Sequence, residues 1–218
     1  MKLRKYLCLF LCAVMCAVAL CSCGKITLHE GLGVENGCIN KNDGTVYLHA
    51  SPVYEAVALC DERGKLKVTD SESYKLYTIP DMDEIRWLAT EERHILYTED
   101  TKLPTLLEMA PFEVHICVDA TTIHEVNTIT DVTDIASLVA DFSANKSVTY
   151  PGTTPLRNYR VRFESDLYPG FYYTLTYVEY GSDLIIEDVN YGKYFLYSAF
   201  DQLFVPVGDE IHRAMGWD

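Results

Sequence analysis

The chain is predicted to fold as an α+β protein: predominantly an antiparallel β-sheet meander, with one amphipathic helix packed on it and a short C-terminal helix. Three observations carry this expectation. Short runs rich in β-branched and aromatic residues recur between turn signals, which is the spacing of hairpins and not of β–α–β units. Residues 157–165 and 171–180 alternate between two faces, the period of strands with one side buried. Only 132–143 shows a convincing helical stripe, formed by Ile135, Leu138, Val139 and Phe142, with Asp131 where an N-cap belongs. A small β-propeller is the alternative arrangement of such strands, and the lack of an internal repeat counts against it.

From the N-terminal side, Asn42-Asp43-Gly44 ahead of Thr45-Val46-Tyr47-Leu48 is a hairpin signal. A calcium loop here would need an oxygen ligand where Ile39 stands. Strands are expected at 56–60, 65–69, 74–79, 85–89 and 94–98, with turns at 61–64 and at Glu91-Glu92-Arg93. Asp81, Asp83 and Glu84 cluster in one loop and read as solvated acids. Pro104 and Pro111 confine the chain between them to an irregular connection or a single helical turn.

Strands at 113–119 and 123–129 precede the helix. In the next one Tyr159, Val161 and Phe163 are apolar while Arg160, Arg162 and Glu164 are polar. After the turn at Leu167-Tyr168-Pro169-Gly170, Phe171, Tyr173, Leu175 and Tyr177 share one face; Tyr172, Thr174, Thr176, Val178 and Tyr180 share the other. A one-residue slip would carry Arg160 and Arg162 into the core, so the pattern specifies the register. Strands at 184–189, 194–199 and 203–207 extend the meander. A last helix is capped by Asp209, sets Ile211, Ala214 and Met215 on one side, and closes at Gly216.

The first residues carry a different signal. Lys2, Arg4 and Lys5 form a positive head, residues 7–20 an uninterrupted apolar run, and Ser22 and Cys23 a small-residue boundary, the layout of a secretory signal peptide. A membrane-spanning helix needs roughly 20 apolar residues, so the run is short for that role. Its end, Leu20-Cys21-Ser22-Cys23, resembles the lipobox of bacterial lipoproteins, although Cys21 stands where Ala, Ser or Thr is more usual. The resemblance implies that residues 1–22 are removed and that Cys23 is acylated. The mature chain would then be tethered to the membrane, facing outside the cytoplasm, and two acyl chains suffice for a stable anchor. Residues 23–37, rich in Gly and polar residues, read as the tether, and 38–218 as a single β-rich domain.

Composition narrows the chemistry. The whole chain carries −14, and the signal holds three of its 18 Lys+Arg and none of its 32 Asp+Glu, so the remainder is more acidic still. Nucleic acid is therefore not an expected partner, because phosphate binding requires concentrated positive charge. Beyond the signal, Cys38, Cys60 and Cys117 lack the C-x-x-C spacing of a metal or redox site; Cys60 and Cys117 sit in apolar runs typical of buried thiols. One disulfide among the three stays open.

No nucleophile elbow, phosphate loop, dinucleotide fingerprint or H-E-x-x-H motif is present, so neither a metal nor a cofactor is expected. His115 and Cys117 share a strand face, but nothing in the sequence marks a third group to orient them as a catalytic pair. The polar face of the 157–180 hairpin, with Arg160, Arg162, Tyr172 and Tyr180, is the expected binding surface, and the arginines read as an isolated pair. Tyrosine and arginine together suit an envelope glycan, a peptide or a protein partner. The expectation is a non-catalytic binding or accessory lipoprotein; an exported hydrolase is the alternative.

Overall fold

The computed structural model describes residues 25–31, 33–119 and 123–217. The expected signal segment and Cys23 lie outside the described residues. No described helix is long and apolar enough to cross a membrane. The protein is mostly β, as predicted, but its strands form a closed barrel and a second, open sheet in place of one meander.

The barrel takes β1 (Ile26–Glu30), β2 (Gly37–Asn40), β3 (Val46–His49), β5 (Glu62–Lys67), β6 (Ser73–Thr78), β7 (Trp87–Thr90) and β8 (Ile95–Thr98). Its strands run in the order β1-β2-β3-β8-β7-β6-β5, and β5 returns to β1. That closing pair is parallel, with Ile26 opposite Gly64 and Leu28 opposite Leu66; every other neighbour is antiparallel. Each strand sends one residue into a shared apolar cluster: Leu28, Cys38, Tyr47, Leu66, Leu76, Leu88 and Leu96. The expected β2–β3 hairpin forms, with Gly44 at φ +80°.

Two expectations are corrected here. Part of the predicted tether is the barrel strand β1, which escapes pattern reading because only Leu28 among its five residues is buried. The predicted turn at 61–64 instead runs largely within β5, where a bulge falls between Glu62 and Gly64. Glycine is required at this point, since a Cβ on Gly64 would lie 2.0 Å from the Ile26 carbonyl oxygen. The turn-like composition thus marks a close backbone approach at the barrel seam.

The second sheet contains β9 (Glu113–Asp119), β10 (Ile123–Ile129), β11 (Arg157–Glu164), β12 (Phe171–Glu179), β15 (Tyr194–Ser198) and β16 (Leu203–Pro206). They run in the order β10-β9-β11-β12-β15-β16, and short β4 (Tyr54–Ala56) adds to the start of β12. The expected alternation holds: Val161 and Phe163 of β11 pair with Leu175 and Tyr173 of β12.

Helix α2 (Val132–Ser143) covers that apolar face with Ile135, Leu138, Val139 and Phe142. Asp131 caps it, accepting from the backbone N–H groups of Thr133 and Asp134 at 2.8 and 3.1 Å. The single turn expected between the prolines is α1 (Leu106–Met109), held by a capping box of Thr105 and Glu108. The predicted 184–189 strand is really a small hairpin, β13 (Ile185–Ile186) and β14 (Val189–Asn190). Glu187 and Asp188 between them take left-handed φ values of 52° and 65°, the geometry of a tight two-residue turn. Helix α3 (Glu210–Ala214) follows Asp209, whose carboxylate accepts from Arg213 Nε instead of capping the backbone.

Barrel and sheet share one apolar cluster, in which Trp87, Ala89 and Ile95 on the outside of the barrel meet Tyr54 and Phe171 of the sheet. The backbone is stitched across the same seam. Glu55 of β4 bridges to His94, while Thr174 of β12 donates its N–H to the Val53 carbonyl at 2.6 Å.

Candidate ligand groove

The face of the second sheet turned away from α2 carries the polar half of each alternating strand. β11 contributes Arg160, Arg162 and Glu164; β12 contributes Tyr172, Thr174 and Thr176; β4 brings Glu55 opposite Tyr172. Because Tyr54 and Ala56 turn into the core, Glu55 must point the other way, onto the arginines. Arg162 Nη2 bonds Glu55 Oε1, and Arg162 Nε donates to Oε2 at 3.2 Å. Arg160 Nη1 reaches the same Oε2 at 3.4 Å.

The two arginines are therefore not an isolated pair. The pairing of β4 with β12 brings them a carboxylate that lies 105 residues from Arg160 in sequence and that no local pattern announces. Arg162 also lies over the Tyr172 ring, 5.3 Å from its centroid, and burial together with Glu164 raises the Tyr172 phenol above its ordinary range. The Tyr172 ring thus covers one face of the guanidinium while Glu55 holds its edge.

Arg160 and Arg162 lie in the floor of a groove of about 830 Å³ at the junction of barrel and sheet. Thr174 and Thr176 continue the floor, the barrel turn 91–94 forms one wall, and residues 197–200 form another. The Thr174 hydroxyl is buried and has no hydrogen-bond partner among the described residues. Phe200 is 63% exposed, offering a flat apolar face at the rim. A second cavity of about 340 Å³ adjoins the first, and Pro52, Tyr54, His94 and Phe200 line both. This arrangement can hold an elongated polar molecule by hydrogen bonds from the floor and ring contact at the rim.

Of the four expected surface residues, three remain together and one leaves. Tyr180 is 5% exposed and packs against Phe195 and Phe204, with ring centroids 5.9 and 6.4 Å away. The alternation placed it on the correct face, but the far end of that face is covered by an apolar cluster that includes Val148. Tyr172 supports Arg162 and is not among the lining residues.

The three cysteines among the described residues are free: Cys38 and Cys117 are buried, whereas Cys60, expected in a buried strand, is exposed beyond β4. His115 and Cys117 do share a face, yet both His115 ring nitrogens face carboxylates. Comparison with protein-family models, with curated proteins and with solved structures found no match.

Proposed function

We propose that the chain is a non-catalytic binding lipoprotein, acylated at Cys23 and held on the outer side of the cytoplasmic membrane. Its groove over Arg160 and Arg162 takes an envelope glycan or peptide. The observation that carries this reading is the coincidence of the groove of about 830 Å³ with the arginine pair, since ligand sites combine a preformed cleft with a few fixed polar groups. The lipobox-like end of the signal supports the location, and the acidic balance argues against nucleic acid as the ligand.

The groove's chemistry favours a hydroxyl-rich or carboxylate-bearing ligand. Arg160 and Arg162 set guanidinium groups at the floor, where they share the Glu55 carboxylate, and Phe200 provides the stacking face that sugar rings and peptide side chains use.

The full chain, purified from membranes in detergent, is screened by calorimetry against cell-wall fragments and oligosaccharides. Binding that weakens at least tenfold in Phe200→Ala and in Arg160→Gln supports the groove. Binding indifferent to both changes would overturn it, and turnover of a bound fragment would replace it with an exported hydrolase. The anchor has its own test. Cys23→Ser should move the protein from the membrane to the soluble fraction, and membrane retention with unchanged mobility would mean an uncleaved N-terminal anchor.

A further inference from the structure

A second cluster on the same sheet face involves none of the groove-lining residues. Glu113 and His115 stand two apart on β9 and therefore share a face, and the β9–β11 register sets Glu164 directly opposite Glu113. One donor atom from each of Glu113, His115 and Glu164 lies within 4.8 Å of the others, and all three side chains are partly buried. His115 Nε2 is 2.6 Å from Glu164 Oε2, while Nδ1 is 2.8 Å from Glu125 Oε2. Glu125 is itself held by the Thr128 hydroxyl at 2.8 Å, and the Tyr172 ring packs edge-on to the imidazole at 5.6 Å.

A neutral imidazole has one N–H to give, and here both ring nitrogens face carboxylate oxygens. With Nδ1–H donated to Glu125, the Nε2 lone pair points at a carboxylate oxygen. Two acceptors this close require a positive centre, either a second proton or a metal ion. The carboxylate behind Nδ1 is the outer-shell partner that metal-bound histidines use to fix their tautomer and orientation.

We propose that His115 Nε2, Glu113 and Glu164 bind a divalent transition metal ion of the Zn²⁺ class, with Glu125 orienting the imidazole. The mixed nitrogen and oxygen set suits Zn²⁺ better than Ca²⁺ or Mg²⁺, which favour oxygen ligands throughout. Ligand atoms around a tetrahedral ion lie about 3.3 Å apart, so side-chain torsions suffice to close this cluster and open the His115–Glu164 contact around an ion. Three protein ligands leave a fourth position for solvent.

The sequence did not announce the site because Glu-x-His on a strand is common and the third ligand comes from another strand 49 residues away. The test uses the full chain in detergent, stripped with chelator and titrated calorimetrically with ZnCl₂, with CoCl₂ absorption reporting four-coordinate geometry. One ion per chain is expected. His115→Ala should abolish binding, Glu164→Gln should weaken it at least tenfold, and Glu125→Gln should weaken it about 10- to 100-fold with unchanged stoichiometry. Cys60→Ser should leave binding unchanged, which separates this site from the exposed thiol. Circular dichroism of each variant, with the near-isosteric Glu164→Gln as the conservative change, separates lost ligands from lost fold. Absence of stoichiometric binding by the native chain would show that a proton bridges the cluster and would overturn the proposal. Undiminished binding by folded His115→Ala or Glu164→Gln would overturn it equally.

Discussion

The barrel and the open sheet are built from strands of similar length but use their faces differently. Closure leaves the barrel's inner face no access to solvent, and one residue from each of seven strands fills it. The open sheet buries one face beneath α2 and keeps the other for Glu55, Arg160, Arg162, His115 and Glu164. A closed sheet spends its inner face on stability; an open one retains a surface that can carry charge and, through it, chemistry. The groove forms where the two meet, since β4 belongs to the sheet's ladder while also bridging to His94 of the barrel turn.

The largest effect should come from hollowing the barrel. Leu88 is fully buried, and Leu88→Ala should cost about 2–5 kcal/mol, seen as a lower urea midpoint. A loss below about 1 kcal/mol would mean that the barrel interior is not packed as a unit.

Alkaline pH probes the same interior without mutation. Burial pushes the Cys38 thiol from 9.0 up to about 12 and the Tyr47 phenol from 10.0 up to about 12. Both raised values favour the neutral form in the folded state. Their stabilising effect is complete below the unfolded pKa values and is lost as pH rises from about 9 toward 12. The cost from Cys38 alone should reach about 2–3 kcal/mol by pH 11, and Cys38→Ala should flatten that slope in pH-dependent unfolding.

Glu55→Ala tests the seam. It leaves two half-buried guanidinium groups without their shared carboxylate and should cost about 1–3 kcal/mol. A double-mutant cycle with Arg162→Gln measures the coupling, and strict additivity would show that the pair does not interact. The smallest stability effect belongs to Phe200→Ala, within about 0.5 kcal/mol because the ring is mostly exposed. If its melting temperature falls as far as that of Leu88→Ala, Phe200 is a packing residue and the groove loses its rim.

Local pattern determined much of the open sheet. The bounds of β9, β10 and α2, the cap at Asp131 and the sidedness of β11 and β12 all follow from periods of two and 3.6, which neighbouring residues alone impose. Free energy of burial acts on each strand separately there, so the sequence records it. Barrel closure leaves no such record: β1 joins β5 in parallel across more than thirty residues, and its only buried side chain is Leu28. The backbone contact at Gly64 looks like a turn in sequence for the same reason, because glycine marks absence of a side chain and not what fills the space. Tertiary structure alone decided that Glu55 would meet Arg160 and Arg162, that Tyr180 would be covered, and that Glu164 would face His115. Charge pairing and ligand geometry depend on distances of a few ångströms between strands far apart in the chain, and no periodicity encodes those distances.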